Sequence, residues 1–317
     1  MKTVLLIPCT DRKRILPSNM LSARNLTAGS LQEVAKQWSE CIHFASDRAK
    51  PDDLYCGRAY REGRLAADLI GAELAILSAG HGIVREYQEI AAYGLTVAPG
   101  KADSIQCKIP DEEWSSAKWW RALGDYAAAS ISLSEFFGQS AADLVLVALS
   151  ENYAKLLSSE LAGLDEQFAR KMRVFGAGLA KHLPANIEPR LMPYDARLNG
   201  PQSPIKGTMT DFPTRALHHF ANALHEGLLR GRSSAEDRCQ VDEMLKGWTA
   251  PAIPVRKKMS DQEVISFVLD NWEKTEGRSG ASLRLLRDSG NACEQSRFKD
   301  LFKLAAADRA KSKEEAA

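Results

Sequence analysis

Three short apolar runs constrain the fold of this chain more strongly than any other feature of its sequence. Each is rich in residues that favour β-strands and ends abruptly in small or polar residues; the runs span residues 3–7, 73–77 and 143–148. Apolar residues with helical spacing are found over about 31–46, 59–70, 115–137 and 214–229, and a fourth strand is indicated over 173–175. Strands and helices that alternate in this way form βαβ units. The sequence therefore predicts an α/β fold, with a mainly parallel sheet and flanking helices.

A change of composition near residue 230 predicts a second domain. The stretch Arg230-Gly231-Arg232-Ser233-Ser234 has the composition of a linker. Beyond it, residues 260–263 have the form of a capping box that opens a helix, and residues 277–306 show a helix, a Gly-containing turn and a helix. These patterns predict an α/β domain over 1–230 and a small all-α, helix-turn-helix-like domain over 235–317.

Charge, hydropathy and cysteine spacing exclude several classes of protein. The 317 residues include 42 Lys and Arg and 41 Asp and Glu, a net charge of +1, so any nucleic-acid site has to come from a local patch. No apolar run approaches the roughly 18 residues of a membrane span, and the first run is too short for a secretory signal. The six cysteines lack metal-binding spacing, which predicts reduced thiols in the cytoplasm and argues against a disulfide framework and a structural zinc. We expect no metal and no other cofactor.

Polar residues follow each of the three predicted strands at its carboxyl end. Ligands bind at this edge in open α/β sheets, so the sequence predicts that these residues line one common pocket. The candidates are Cys9, Thr10, Asp11, Lys13 and Arg14 after the first strand, Ser78, Gly80, His81 and Gly82 after the second, and Asn152 and Tyr153 after the third.

The order of these motifs resembles that of YaaA-like domains and their bacterial and phage relatives. The segments IPCTDRK, DLYCGRAYREGRLAA, AILSAGHGIV and IAAYGLTV carry the resemblance, which covers about residues 1–180. Pro8, Cys9 and Lys13 are also similar in spacing to the PC-x3-K motif of the lyase-type domain of archaeosine synthase, and Ser18 falls on its downstream Ser. The Pro-Tyr pair and final His of that motif are absent here. An activity specific for 7-deazaguanine is therefore not implied.

The resemblance implies a protein that handles a nucleobase, related to tRNA-guanine transglycosylases and DNA glycosylases. Substrates in this superfamily are usually DNA or tRNA, and several members belong to stress-response or phage-defence settings. A base-handling N-terminal domain with a nucleic-acid partner is what the resemblance implies for this chain.

The residue types after the first strand suit cleavage of an N-glycosidic bond. The reaction builds positive charge on the sugar, which a carboxylate stabilises, and negative charge on the departing base, which a cation or proton donor stabilises. Asp11 is the candidate carboxylate, with Glu89 as a second, and Lys13 or His81 is the candidate for the positive end. The alternative interpretations are a turn or cap residue for Asp11 and a solvated loop cation for Lys13.

Further residues near these strand ends are candidates for binding the base. Tyr55 and Tyr93 are placed to stack on a base, although such aromatic residues are also common in a core. Cys9 is interpreted as a packed or pocket-lining thiol rather than a nucleophile, because no basic partner is specified beside it. Backbone N–H groups around Gly80 and Gly82 suit a carbonyl or phosphate group.

Two basic stretches predict contacts with the phosphates of DNA. Arg58, Arg61 and Arg64 recur at helical spacing, and a solvated helix face beside Glu62 is the alternative. The helix-turn-helix-like stretch has more basic than acidic side chains, which favours DNA binding, with protein docking as the alternative. Its candidate DNA-binding residues are Arg284, Arg287, Arg297 and Lys299.

Together these features predict a DNA glycosylase-like enzyme that takes a flipped, modified base from duplex DNA into the N-terminal pocket. Excision of a phage-type base would make it an antiviral protein. Two alternatives stay open: a transglycosylase that exchanges a base in DNA or tRNA, and a non-catalytic DNA-binding protein of a stress response. The sequence leaves open which base is modified, whether the substrate is DNA or RNA, and the oligomeric state.

Overall fold

The structure of the protein, a computed structural model, describes residues 1–126, 131–252 and 255–315, with side chains through residue 310. The strands are β1 Thr3–Pro8, β2 Arg48–Ala49, β3 Glu73–Ser78, β4 Gly82–Arg85, β5 Ile90–Ala91, β6 Leu144–Ala148, β7 Met172–Phe175, β8 Lys257–Lys258 and β9 Asn291–Ala292. The α-helices are α1 Leu31–His43, α2 Pro51–Leu54, α3 Arg58–Ile70, α4 Ser116–Tyr126, α5 Leu133–Ser140, α6 Glu151–Leu156, α7 Ser158–Ala162, α8 Glu166–Ala169, α9 Phe212–His225, α10 Ser234–Met244, α11 Asp261–Asp270, α12 Ser279–Asp288 and α13 Gln295–Glu315. Within the described residues, none of the helices combines the length and the apolarity that crossing a bilayer requires.

Among the described residues, β1 lies at the centre of a five-stranded sheet with the order β4-β3-β1-β6-β7. It pairs in parallel with β3 and β6, and β6 pairs in parallel with β7, whereas β4 closes one edge in the antiparallel direction. Leu5 of β1 lies opposite Leu74 on one side and Leu146 on the other. The three predicted strands are therefore neighbours, and the predicted α/β fold with a mainly parallel sheet is confirmed.

The central strand is buried because helices cover both of its faces. Residues Val4 to Ile7 of β1 are fully buried, as expected of a parallel strand inside an α/β domain. Helices α3 and α9 pack against each other and against the sheet, and α4 packs against α1, α6 and β4. Gly63 lets α3 approach β1 closely, since a Cβ at this position would lie 2.5 Å from the Ile7 Cδ1 atom.

The Trp-containing stretch predicted as one helix over 115–137 forms two helices, and this prediction was wrong. Helix α4 ends at Tyr126 and α5 begins after Ser132, while residues 127–130 lie outside the described residues. A capping box fixes the start of α5. The Ser132 N–H donates to Glu135 Oε2 at 2.8 Å, and the Glu135 N–H donates to Ser132 Oγ at 3.2 Å.

The chain divides into two compact units, Met1–Pro251 (unit 1) and Ala252–Ala317 (unit 2). This division lies downstream of the predicted linker at 230–234, because α10 belongs to the core of unit 1. Asp237 of α10 binds the buried Arg173 of β7, with 2.6 Å between its Oδ2 and the arginine Nε. Val241 of the same helix is fully buried in that core.

Unit 2 is helical apart from one short strand pair. Helix α11 begins at the predicted capping box, in which the Ser260 N–H donates to Glu263 Oε2 at 2.7 Å. It packs against α13, as does α12, around a buried core that includes Val264, Leu286 and Phe298. Helices α12 and α13 follow in the predicted order, and β9 lies between them, paired in parallel with β8.

Candidate functional site

The carboxyl ends of β1, β3 and β6 meet at one edge of the sheet. Cys9, the residue after β1, donates its backbone N–H to the Leu77 carbonyl of β3 at 2.8 Å. Its Sγ lies 3.0 Å from the Oη of Tyr153 on α6, the helix that follows β6. Ser78 ends β3 one residue beyond Leu77, which pairs with Pro8. The structure thus brings together residues that follow three different strands.

Beneath this edge, three buried hydroxyl groups form a continuous hydrogen-bonded chain. Ser78 Oγ donates to Tyr93 Oη at 2.7 Å, and the Oη atoms of Tyr93 and Tyr55 are 3.0 Å apart. Ser78 Oγ also accepts from the backbone N–H groups of Gly80 and His81, at 3.3 and 3.0 Å. Burial raises the pKa of both phenols well above the usual value for tyrosine. Both groups therefore remain neutral hydroxyls at neutral pH.

Lys13 places its ammonium group over the two tyrosine rings. Its Nζ lies 4.1 Å from the centroid of the Tyr93 ring and 5.7 Å from that of Tyr55, within the range of cation–π attraction. The same Nζ donates to the Thr10 carbonyl at 3.3 Å. The backbone of residues 12–14 is bonded to that of residues 54–56, and Lys13 and Tyr55 form an antiparallel bridge. Lys13 is therefore a half-buried cation with a fixed position.

His81 also contacts Tyr93, as a neutral ring. Its ring is edge-on to Tyr93 at 4.7 Å between centroids, and its Nε2 lies 3.1 Å from the Ala91 carbonyl oxygen. Burial, aided by the charges of Arg48 and Lys13, lowers the pKa of His81 to about 4, against the opposing effect of the carbonyl. Because a carbonyl only accepts, the neutral ring donates from Nε2 and carries a lone pair on Nδ1. His81 is therefore uncharged at neutral pH, which leaves Lys13 as the candidate for the positive end.

These residues form a single group, here named the strand-edge cluster. Its members all come from positions that the sequence predicted near one pocket. They are Cys9, Lys13, Tyr55, Ser78, His81, Tyr93 and Tyr153.

Two tryptophans that the sequence did not single out hold the turn after β3. The indole N–H of Trp38 donates to the Gly80 carbonyl and that of Trp119 to the Ala79 carbonyl, both at 2.8 Å. Gly80 is required by this packing, since a Cβ would lie 2.9 Å from the Tyr93 ring. In the sequence, both tryptophans stand out only as apolar residues of a helix. That pattern predicts that they are buried but does not identify the carbonyl groups that they bind.

The carboxylates considered for the site differ in exposure and in their partners. Asp11 is exposed, two positions before Lys13, and its side chain has no hydrogen bond or ion pair within the described part of the chain. Glu89 is exposed between β4 and β5. Asp103, not predicted as a site residue, is held by Arg24, with 2.8 Å between Oδ1 and Nε; this bond and a smaller effect of the Lys13 charge lower its pKa. Asp11 is thus the carboxylate open to a ligand on the loop that carries Lys13.

The three arginines predicted on one face of α3 differ in their partners. Arg64, with a side chain that is 23% exposed, is ion-paired with Glu86 and Asp68. Arg58 also forms an ion pair, with 3.5 Å between its Nη1 and Asp211 Oδ2, but its side chain is 50% exposed. Arg58 and Arg61 are the exposed cations of the three.

The remaining predicted residues of unit 1 have local contacts at the same edge. The Arg14 guanidinium contacts the carbonyl oxygen of Asp52, and Thr10 packs against the start of α3. Gly82 begins β4 with a φ of 75°, in the left-handed region that favours glycine. Asn152 is half-buried on α6.

The candidate DNA-binding residues of unit 2 fall into two groups. Arg297 binds Asp261 through Nε and Oδ1 at 2.8 Å, and Arg287 donates to a backbone carbonyl at 3.3 Å. These intramolecular bonds make both side chains part of the folded unit. Arg284 and Lys299 are exposed.

Two cavities share no lining residue with the strand-edge cluster. One of about 310 Å³ lies against α4 and α5, with Trp120 and Glu160 in its wall. The other, of about 510 Å³, is lined by Lys2, Glu73 and Arg85 among others. In the described parts of the chain, no group of three His, Cys, Asp or Glu side chains is arranged to hold a metal ion.

Comparisons of the chain with protein-family models, with curated proteins and with solved structures find no match. The resemblance to YaaA-like domains therefore stays a prediction from sequence motifs. This edge of the sheet presents the fixed Lys13 cation, the neutral His81 imidazole and the Cys9 thiol. The loop that carries Lys13 also carries the exposed Asp11 carboxylate.

Proposed function

We propose that the chain is a DNA glycosylase-like enzyme that hydrolyses the N-glycosidic bond of a modified base. The observation that carries this proposal is the Lys13 ammonium group, fixed 4.1 Å above the Tyr93 ring at the carboxyl edge of the sheet. A departing base takes up negative charge, and a cation held in place stabilises that charge without reorganising during the reaction. The neighbouring loop residue Asp11 supplies the opposite charge for the cationic sugar.

The roles follow from which groups are charged. Lys13 lies beside the leaving base, and the Asp11 carboxylate faces the sugar. Water adds to the carbon that loses the base, and the proton that this water gives up ends on the departing base. The neutral His81 ring offers the Nδ1 lone pair to a base N–H, and Cys9 lines the same edge. The buried tyrosines hold these groups in position and stay neutral.

Duplex DNA with a flipped base is the proposed substrate, because a base inside the stack is out of reach of a site at the end of a sheet. The exposed Arg58 and Arg61 of unit 1, and Arg284 and Lys299 of unit 2, are the proposed phosphate contacts. The proposed location is the cytoplasm, where the free thiols of this chain stay reduced. Removal of a phage-type base would then act against a virus.

The test is the release of free bases from DNAs that carry different modified bases, including phage DNAs, measured by mass spectrometry. We expect wild-type protein to release one of them, and Lys13→Gln to lose activity on the order of 10²-fold. Lys36→Gln, at an exposed lysine of α1, is the matched control and should retain full activity. No release from any DNA, or full activity of Lys13→Gln, would contradict the proposal. Release only when a free base is added would favour base exchange.

A further inference from the structure

The loop that follows Lys13 is anchored at both ends beside the strand-edge cluster. At its start, the Arg14 N–H donates to the Leu54 carbonyl at 2.9 Å, next to Tyr55. At its end, Leu21 accepts from the Gly94 N–H at 2.7 Å, directly after Tyr93. Residues 15–20 therefore bridge the two tyrosines over which Lys13 lies.

This anchored loop exposes apolar side chains. Leu16 is 85% exposed, Met20 62% and Ile15 38%, and Pro17 restricts the backbone between them. We name Ile15, Leu16 and Met20 the apolar tip. Single exposed apolar residues are common on surfaces, but three on one short loop beside a candidate site indicate a binding surface.

The charges around the apolar tip fit a polyanion. Residues 12–25 contain four cations and no Asp or Glu. Arg24 is ion-paired with Asp103, and Lys13 lies over the tyrosine rings. Arg12 and Arg14, which directly precede the tip, are exposed, and the Arg14 guanidinium also contacts the Asp52 carbonyl. Asp11 precedes them as the one carboxylate of the loop. Cations beside an apolar protrusion are what a protein needs to hold phosphates while it opens a base step.

We propose that the apolar tip enters the base stack of duplex DNA and that Leu16 occupies the space vacated by the flipped base. The proposal rests on the proposed function, since it assumes that the neighbouring cluster receives a base from DNA. Leucine, isoleucine and methionine are among the side chains that unstack base steps in this way. The tip lies on the loop that carries Lys13, so the base that it displaces emerges beside the cation.

The test uses the full chain and a short duplex that contains one abasic analogue, with 2-aminopurine opposite it. The comparison is an intact duplex that is the same except for a base in place of the abasic analogue. Wild-type protein should bind the abasic duplex more tightly, because the cost of unstacking is already met there. Leu16→Ala should lower the affinity for the abasic duplex on the order of tenfold and reduce the 2-aminopurine fluorescence change. Its affinity for the intact duplex and its salt dependence should stay unchanged. Leu65→Ala, 54% exposed on α3, is the matched control.

Three outcomes would overturn the inference. The first is that Leu16→Ala binds the abasic duplex with the affinity of the wild type. The second is an equal loss of affinity for both duplexes. The third is a loss of affinity for vesicles of phosphatidylglycerol and phosphatidylcholine, with the affinity for both duplexes unchanged. Because the measurement needs no base release, it separates the two proposals. If Leu16→Ala loses the abasic preference while no DNA releases a base, the inference stands and the proposed enzyme activity fails. If the wild type releases a base and Leu16→Ala binds normally, only the inference fails.

Discussion

The Lys13 ammonium group lies 4.1 Å from the centroid of the Tyr93 ring, while the hydroxyl of this tyrosine accepts a hydrogen bond from Ser78 at 2.7 Å. One residue therefore joins the cation of the candidate site to the buried end of β3. The ring positions Lys13, and the hydroxyl satisfies two buried polar groups. Substitutions at Tyr93 separate these two contributions.

Tyr93→Phe should destabilise the protein while it keeps the ring beneath Lys13. The free energy of unfolding should fall by about 1–3 kcal/mol, because the buried Ser78 and Tyr55 hydroxyls lose a partner. Tyr87→Phe, at a side chain that is 63% exposed, is the control and should change stability by less than about 0.5 kcal/mol. Urea unfolding measures both. Unchanged stability of Tyr93→Phe would contradict the buried hydroxyl chain.

The strands of the sheet were predictable because their signal is local. β1, β3 and β6 each differ from the predicted runs by one residue at an end, since an apolar run and the small or polar residues that end it are adjacent in the sequence. The start of α11 was predictable for the same reason. Its capping box needs only Ser260 and Glu263, three positions apart.

The features that were not predictable depend on residues far apart in the chain. Arg173 is fully buried because Asp237, 64 positions later, neutralises it, and the Tyr55–Tyr93 hydrogen bond spans 38 positions. Neither pair belongs to a repeating pattern or a short motif. The position of the division between the units and the support of the site by buried hydroxyls both follow from such pairs.

The Arg173–Asp237 pair predicts where the chain can be truncated. Residues 1–251 should fold cooperatively, whereas residues 1–230 should be much less stable, because loss of Asp237 leaves a buried, unpaired guanidinium. Breaking a buried ion pair from one side costs about 3–5 kcal/mol, a large part of typical domain stability of about 5–15 kcal/mol. Urea unfolding of the two fragments and of Asp237→Asn checks this. Equal midpoints for both fragments would show that α10 is dispensable.

His81 should make the stability of the protein fall in acid. The unfolded ring takes up a proton near its ordinary pKa of 6.5, whereas the folded ring does so only near 4. The unfolded state therefore binds more protons between these values, and the free energy of unfolding decreases as the pH falls through this window. Above about pH 7 both states are neutral and His81 contributes no pH dependence.

The expected loss from His81 between about pH 7 and pH 4 is about 2–3 kcal/mol. His81→Gln should reduce the difference in unfolding free energy between these pH values by that amount. Urea unfolding at several pH values measures the difference, and NMR titration of the ring, assigned by its absence from His81→Gln, gives the pKa directly. A ring that titrates near 6.5 would contradict the burial argument.

Unit 2 should contribute to duplex DNA binding through its exposed cations. Removing residues 252–317 should weaken binding and make its salt dependence shallower, by about 0.9 in log–log slope for each phosphate that the protein no longer neutralises. Arg284→Gln should make the salt dependence shallower. Arg297→Gln should instead destabilise unit 2, because the Arg297 guanidinium binds Asp261. Titrations at several salt concentrations test this. Unchanged affinity and slope after truncation would reassign unit 2 to protein docking.

Asp11→Asn should abolish base release while the fold and duplex binding are kept. The substitution removes a negative charge with little change of shape, and the loss of one preorganised electrostatic group lowers rates on the order of 10²-fold or more. The Asp11 side chain is exposed and has no partner within the described residues. The midpoint temperature of thermal unfolding should therefore be the same for Asp11→Asn as for the wild type. Asp111→Asn, at another exposed carboxylate of unit 1, is the matched control.

The measurement for Asp11→Asn is free base released per enzyme over time, beside a gel-shift assay on the same DNA. Duplex binding should stay equal or rise slightly, because a carboxylate repels phosphates. Full activity of the variant would transfer the carboxylate role to Glu89, the other carboxylate that the sequence offers. If binding and activity fall together, Asp11 acts in holding the DNA, and the charge that stabilises the sugar has to come from another residue.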